Sequence, residues 1–138
     1  MAIDATGYEP LDFIWRDYYK WVGTVFGVID GNLQPLIRNL KMVIDRPMGE
    51  MRFGDILITP NYSHRVILAY RYKHPATGET LTLTADLIRE GDIIEAEYDG
   101  RPIQLYIIRR YQPADAKTYL TLECRLREEG EVQYLPTG

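Results

Sequence analysis

The stretch that decides the fold is residues 93–111, which read IIEAEYDGRPIQLYIIRRY. Two β-prone runs, Ile93–Tyr98 and Ile103–Tyr111, flank the pair Asp99-Gly100. Asp-Gly between such runs is a strong signal for a tight turn, because both residues tolerate a left-handed backbone. The stretch therefore predicts an antiparallel hairpin.

The sequence leading into this hairpin is written twice. Residues 52–58 read RFGDILI and residues 89–95 read REGDIIE, with a weaker echo at Gly130-Glu131-Val132. Further matches pair Arg71, Pro75, Ala76 and Thr80 with Arg109, Pro113, Ala114 and Thr118. A period of this size indicates a repeated supersecondary unit, with copies at residues 52–88 and 89–128.

An alternating apolar and polar pattern places a strand late in each copy. The apolar positions are Leu81, Leu83, Ala85 and Leu87 in the first copy, and Leu120, Leu122, Cys124 and Leu126 in the second. This period is typical of strands with one face on a core. With three strands per copy, we expect a mainly β (α+β) fold, a pseudo-symmetric six-stranded antiparallel barrel or sandwich. Closure into a barrel is favoured because it leaves no exposed strand edge.

The first fifty residues follow a different pattern. Residues 1–10 are polar and predict a loose arm, while the apolar spacing of Leu11–Val22 predicts a short amphipathic helix. Residues 24–29 are β-prone and end at Asp30-Gly31. The apolar residues within 33–44 then have helical spacing and suggest a second helix. A strand pair closed by Asp30-Gly31 fits them as well.

The two patterns divide the chain near residue 50. We expect residues 1–50 to form the arm and a helical, aromatic segment, and residues 51–138 to form the duplicated barrel. The chain has 138 residues, of which 46% are hydrophobic and 26% charged, which is ordinary for a globular protein. One compact domain is the expected organisation.

Charge and cysteine content narrow the function classes. The formal net charge is −4, which disfavours nucleic acid as the main ligand, since proteins that hold a phosphate backbone usually have a basic face. The single cysteine excludes an intrachain disulfide and a cysteine-based zinc cluster. From these features alone we expect no secretory leader, no membrane span and a cytoplasmic location.

Two pairs of residues resemble catalytic groups. Asp55 and Asp92, each following a glycine, could form an acid–base pair, but a Gly-Asp turn whose carboxylate accepts backbone amides explains them better. Ser63 and His64 are neighbours in an extended segment, where side chains point to opposite faces, so they are not expected to share a proton. We predict a surface turn at this pair, and no catalytic residues.

Metal and thiol chemistry are also disfavoured. His64 and His74 are the only histidines, and a gap of this kind across a strand and a loop is no metal motif, so we expect exposed loop histidines. Cys124 lies on the apolar side of its strand and matches Ala85 in the repeat, which predicts an inert core residue. We expect neither a metal nor a cofactor.

Two groups of residues are candidates for contact with partners. Basic residues alternate with aromatic ones at Arg71-Tyr72-Lys73-His74 and at Arg109-Arg110-Tyr111, either as a ligand site or as solvated strand ends paired with acids. Aromatic residues are concentrated in the segment before residue 22, and Tyr62 lies at the tip of the predicted first-copy hairpin, residues 60–63. The interface candidates are Trp15, Tyr18, Tyr19, Trp21, Tyr62, Arg71 and Arg109.

The second copy resembles tailed-phage neck and tail proteins, in particular head-closure proteins, which are small β-barrels. The matching runs are Glu90-Gly91-Asp92-Ile93-Ile94, Asp99-Gly100-Arg101, Leu105-Tyr106-Ile107-Ile108 and Tyr119-Leu120-Thr121-Leu122. The resemblance implies a virion component that acts as a homo-oligomer with other structural proteins of the same assembly. The two-copy repeat departs from that family.

Together these observations favour a non-enzymatic structural or assembly protein, located in the virion neck or tail. A small-barrel binding module for nucleic acid or peptide, using Arg71 and Arg109, is the alternative. A hydrolase built on Asp55 and Asp92 would require both carboxylates to meet in one cleft.

Overall fold

The computed structural model describes residues 2–11, 19–46, 51–53, 56–58, 62–112 and 118–127. Within these ranges the chain forms twelve β-strands and no helix. The strands are β1 (Ile3–Asp4), β2 (Glu9–Pro10), β3 (Trp21–Ile29), β4 (Asn32–Asp45), β5 (Met51–Phe53), β6 (Ile56–Ile58), β7 (His64–Ala69), β8 (Arg71–Lys73), β9 (Thr80–Thr82), β10 (Ile93–Tyr98), β11 (Arg101–Tyr111) and β12 (Tyr119–Leu126).

Six of these strands close into an antiparallel barrel. Their order is β4-β3-β10-β11-β12-β7, and β7 pairs back with β4 through Val43↔Ile67, Ile44↔Val66 and Asp45↔Arg65. The prediction of a six-stranded antiparallel barrel is therefore confirmed. Strand β1 adds in parallel to β4, a small sheet joins β2, β8 and β9, and β5 pairs with β6.

Two Asp-Gly turns build the barrel's tight hairpins. Asp30 and Gly31 have φ of 53° and 79°, and Asp99 and Gly100 have φ of 53° and 77°. Both residues of each pair are left-handed, as a type I′ turn requires, and this turn matches the twist of the strands that it joins. The predicted hairpin at Asp99-Gly100 is confirmed, and so is the strand-pair interpretation of Asp30-Gly31.

The second predicted helix, over residues 33–44, is wrong because two irregularities disguise strand β4. The pairing with β3 shifts between Gly23 and Val25 and again between Val25 and Phe26. Asn39, with φ of 59°, lies at the first of these bulges. Each extra residue resets the alternation by one position. Inward residues are then spaced by three as well as by two, which imitates a helix.

The first predicted helix, Leu11–Val22, is not formed in the described residues. Residues 12–18 lie outside them. Tyr19 and Lys20 have no regular structure, and Trp21 and Val22 begin β3. Trp21 and Val22 pair with Met42 and Lys41 of β4, and residues 23–26 also pair with β10, so strand pairing commits the start of β3 to extended backbone.

The barrel is not built from two equivalent three-stranded copies. Strands β3 and β4 come from the first fifty residues, only β7 comes from the first copy, and the second copy supplies β10, β11 and β12. The alternating run at 81–87 leaves strand conformation after Thr82, because Leu87 N–H donates to Thr84 O at 3.0 Å and forms a turn. The predicted first-copy hairpin is also not formed, since β6 pairs with β5.

The barrel interior is filled by side chains. Its fully buried members include Ile37, Leu40, Met42, Leu68, Ile94, Leu105, Leu120 and Leu122. Cys124 is buried among them, as predicted, and burial raises the pKa of its thiol to about 12. Its supposed counterpart, Ala85, is exposed in a turn, so the repeat does not carry the same burial in both copies.

Candidate functional site

One end of the barrel combines aromatic, basic and aliphatic side chains, and we call it the mouth. It lies where β3 and β7 begin and where β4 and β12 end. The hairpin turn between β10 and β11 projects from the same end. The mouth residues are Trp21, Arg46, His64, Tyr98, Asp99, Arg101, Ile103 and Leu126.

A cavity of about 430 Å³ occupies the mouth. Arg46 follows β4, whereas Arg101 begins β11, three strands away around the six-stranded barrel. The two guanidinium groups therefore approach the cavity from opposite sides. Ile103 and Leu126 supply its apolar lining, so the cavity suits a group that is partly apolar and partly anionic.

A cluster of three aromatic rings lies at the mouth. The Trp21 and Tyr98 rings have centroids 5.6 Å apart, and the His64 and Tyr98 rings lie 5.7 Å apart at 85°. Edge-to-face and tilted contacts of this kind stabilise aromatic pairs beyond the area that they bury. Trp21, an interface candidate from the sequence, is thus held at the mouth by its neighbours and remains partly exposed.

The prediction of a surface turn at Ser63-His64 is wrong. His64 begins β7 and is only 4% exposed, and Ser63 Oγ lies 2.9 Å from its Nδ1. The two side chains meet because Ser63 precedes the strand and is held to β12. Its N–H donates to Cys124 O at 2.9 Å, and its Oγ accepts the Leu126 N–H at 2.6 Å.

These contacts give the Ser63–His64 pair a structural role. Burial, reinforced by the charge of Arg46, lowers the pKa of His64 below its ordinary value. A serine nucleophile needs a base that a third group orients, and no carboxylate among the described residues is hydrogen-bonded to the His64 ring. The serine instead joins the start of β7 to the end of β12.

The two arginines at the mouth differ from two on the outer wall, Arg65 and Arg109. Arg65 Nη2 pairs with Asp45 Oδ2 at 2.9 Å, and Arg109 Nη1 lies 3.8 Å from Glu123 Oε1. Arg109 also lies over the Tyr111 ring, 4.6 Å from its centroid. By contrast, Arg46 and Arg101 are exposed and form no ion pair with any carboxylate that the structure describes.

The predicted basic clusters do not combine into one site. Arg71 lies in β8 of the small sheet, opposite Thr82, whereas Arg109 lies in β11 of the barrel. Arg110 Nη2 donates to Leu83 O at 2.8 Å. The interpretation of these residues as strand ends paired with acids therefore holds for Arg109, whereas the Arg110 side chain binds a backbone carbonyl.

The other aromatic candidates occupy separate places. Tyr19 is buried, with its ring 6.5 Å from that of Tyr72, and Tyr62 is half-buried next to Ser63. Trp15 and Tyr18 lie outside the described residues. Of the predicted interface residues, Trp21 thus lies at the mouth. Tyr62 lies two residues before the mouth residue His64 in the sequence.

The opposite end of the barrel, which we call the base, contains Asp92. Its Oδ2 accepts the Arg89 N–H at 2.9 Å, and Gly91 before it has φ of 92°. The predicted Gly-Asp turn is thus confirmed here, while Asp55 lies outside the described residues. Burial raises the pKa of Asp92. Gly27 faces this carboxylate so closely that a Cβ on it would lie 3.2 Å from Asp92 Oδ1.

The second histidine is also a turn residue. His74 Nδ1 accepts the N–H groups of Ala76 and Thr77 at 3.2 and 3.3 Å, and its ring contacts Tyr8 edge-on with centroids 5.2 Å apart. It is partly buried, so the prediction of exposed loop histidines is wrong for His64 and too simple for His74.

No protein-family model, curated protein or solved structure matches the chain. Within the described ranges, no cluster of three or more His, Cys, Asp or Glu side chains could hold a metal ion. No helix in that part of the chain is long and apolar enough to cross a membrane. Any function assigned to the mouth must therefore be argued from the side chains that form it.

Sequence reasoning missed Arg46, Arg101, Ile103 and Leu126 as members of one site. Arg101 follows the Asp99-Gly100 turn directly, so its place at a hairpin tip could have been deduced. Arg46 joins it only because β7 pairs with β4 and closes the barrel, and no local pattern encodes that pairing.

Proposed function

We propose that this chain is a non-enzymatic structural protein that assembles into a larger oligomeric complex, as a neck or tail component of a tailed-phage virion. The observation that carries the proposal is the mouth. There, two arginines that form no ion pair with the described carboxylates line a cavity beside partly exposed aromatic and aliphatic side chains. Arginine and aromatic residues are enriched at the centres of protein interfaces.

The filled barrel suits a rigid body that presents such a surface. Its interior is filled by side chains, and the mouth offers a cavity that a partner group can enter. Two of the strand ends that form the rim, those of β7 and β12, are joined by strand pairing and by Ser63. A pre-organised surface loses little conformational entropy when a partner binds.

A second surface on the outer wall is also suited to contact. A row across three strands consists of Phe26, Ile93 and Tyr106, and it continues to Arg125 on β12. Ile93 is 1% exposed although it lies outside the main core cluster, so its direct cross-strand neighbours cover it. The Arg125 guanidinium lies 5.7 Å from the Tyr106 ring centroid.

The resemblance to head-closure proteins supports the virion part of the proposal. The runs that carry it fall on β10, β11 and β12, with the Asp99-Gly100-Arg101 run at the mouth. The resemblance implies a small barrel, and the chain has one. The barrel strands outside the resemblance, β3, β4 and β7, complete the closure.

The native mass of the full chain tests the assembly role. Sedimentation velocity over a wide concentration range, alone and with its neighbouring gene products, should show complexes larger than the 16.0 kDa monomer. The proposal would be overturned if the chain remained monomeric at high concentration and if no neighbouring protein were recovered with it from its native source.

A binding module for nucleic acid or peptide remains the second candidate, because Arg46 and Arg101 lie next to the Trp21–Tyr98 stack. The sequence alone suggested Arg71 and Arg109 as the residues of such a binding site. We would favour this function if the chain bound a single-stranded oligonucleotide with an affinity that falls steeply with salt. Replacing Arg46 and Arg101, or Arg71 and Arg109, by glutamine should then abolish the binding. Binding that is insensitive to salt would count against it.

A further inference from the structure

We infer that the mouth of one copy binds the acidic sequence that follows β12 in a second copy of this chain. This inference rests on the proposed assembly function and identifies the partner. The sequence of residues 128–134 reads EEGEVQY, with Glu128, Glu129 and Glu131 ahead of Val132 and Tyr134. It therefore offers three carboxylates in four residues and then apolar groups.

The mouth is complementary to this sequence in charge and in polarity. Arg46 and Arg101 form no ion pair with the described carboxylates, and each presents a fork of donors that matches a carboxylate. Asp99 lies in the same rim, so the site favours binding of a few carboxylates over a dense anionic surface. Ile103 and Leu126 offer the apolar contact.

The last described residues place the start of the acidic sequence at the same end of the barrel as the mouth. Arg127 N–H donates to Gln104 O at 2.9 Å, and Arg127 Nη1 donates to Gln104 Oε1 at 2.6 Å. Arg127 is therefore still held beside β11, directly before Glu128. The assembly function proposed above makes a second copy the occupant, because this contact joins one copy to the next.

A contact of this kind is head-to-tail. Each copy has one mouth and one acidic sequence, so the contact can repeat from copy to copy. Repetition produces a ring when the rotation closes and a filament when it does not. Nucleic acid is the less favoured occupant, because two unpaired arginines beside Asp99 in a chain of net charge −4 form no extended basic track.

Complementary charge-reversal variants of the full chain test the inference. One variant, the mouth variant, reverses the charge of the mouth through Arg46→Glu and Arg101→Glu. The other, the acidic-sequence variant, reverses the charge of the acidic sequence through Glu128→Lys, Glu129→Lys and Glu131→Lys. Either change should weaken self-association at least about tenfold in sedimentation velocity. A control, Arg38→Glu with Lys73→Glu, has the same charge change on exposed residues outside the mouth and should associate like the natural chain.

Mixing the two variants gives the decisive result. The mouth variant retains its acidic sequence and the acidic-sequence variant retains its mouth. The introduced glutamates of the first are also complementary to the introduced lysines of the second, so the mixture should recover association that neither variant shows alone. Association that is unchanged in both variants would overturn the inference while leaving the assembly function in place. A natural chain that never associates would overturn this self-contact, and the assembly function too if no other protein binds it. Unchanged self-association in the mouth variant, coupled with salt-dependent binding of a (dT)₁₂ oligonucleotide by the natural chain alone, would assign the mouth to nucleic acid.

Discussion

The two ends of the barrel use their charged groups differently. At the base, Asp92 accepts the Arg89 N–H and lies 3.8 Å from the Arg89 Nε, so its charge is bound within the chain. At the mouth, Arg46 and Arg101 have no carboxylate partner among the described residues. The comparison teaches that the base contributes to folding, whereas the mouth leaves its charges available for contact. Changes at the two ends should therefore affect different measurements.

The largest expected difference concerns core packing. Ile37 is fully buried against β3, whereas Ile103 at the mouth is only partly buried. We expect Ile37→Ala to lower the free energy of unfolding by about 2–5 kcal/mol, because it leaves a cavity. Ile103→Ala should cost less than half as much. Urea denaturation measures both, and equal losses would remove the contrast between the ends.

The next prediction concerns the turn at the base. Asp92→Ala removes the acceptor of the Arg89 N–H, and we expect it to lower the free energy of unfolding by about 1–3 kcal/mol. Asp92→Asn keeps an oxygen acceptor without the buried charge, so it should cost less than Asp92→Ala. Thermal and urea unfolding of the pair separate the two effects. A larger loss in the asparagine variant would mean that the charge itself stabilises the turn.

The third prediction uses pH to compare the ends. The folded-state pKa of His64 lies below its ordinary value of 6.5, so the unfolded chain binds the proton more readily. The stability that His64 contributes is therefore present above pH 6.5 and is lost as the pH falls from there towards the folded-state pKa. The slope can reach about 1.4 kcal/mol per pH unit for one proton.

His64→Gln is the matched variant for this measurement. The free energy of unfolding, followed by urea denaturation between pH 7.5 and 5.5, should decline less in the variant than in the natural chain. At the base, the raised pKa of Asp92 acts in the opposite sense, since the folded state then binds its proton more readily. Identical pH slopes in the variant and the natural chain would show that His64 does not contribute.

Predictability from sequence also differs between parts of the barrel. The hairpin of β10 and β11 was predictable because its turn, Asp99-Gly100, is local. Strand β4 was ambiguous because the bulge at Asn39 changes its spacing. The mouth could not be predicted, since Arg46 and Arg101 meet only through closure of β4 on β7. The repeat suggested two equivalent three-stranded units for a related reason. The similar sequences of the two copies pair with different strands in the structure.

The smallest predicted effect separates paired from unpaired arginines. Arg109 lies 3.8 Å from Glu123 and is mostly exposed, so Arg109→Gln should change the free energy of unfolding by about 0–1 kcal/mol. Arg101→Gln removes no ion pair with the described carboxylates and should change stability even less, yet it should weaken self-association. Parallel urea denaturation and sedimentation velocity on the two variants make the comparison. If Arg109→Gln proved the more damaging to association, the contact surface would lie on the outer wall of β11, and the mouth would lose its assigned role.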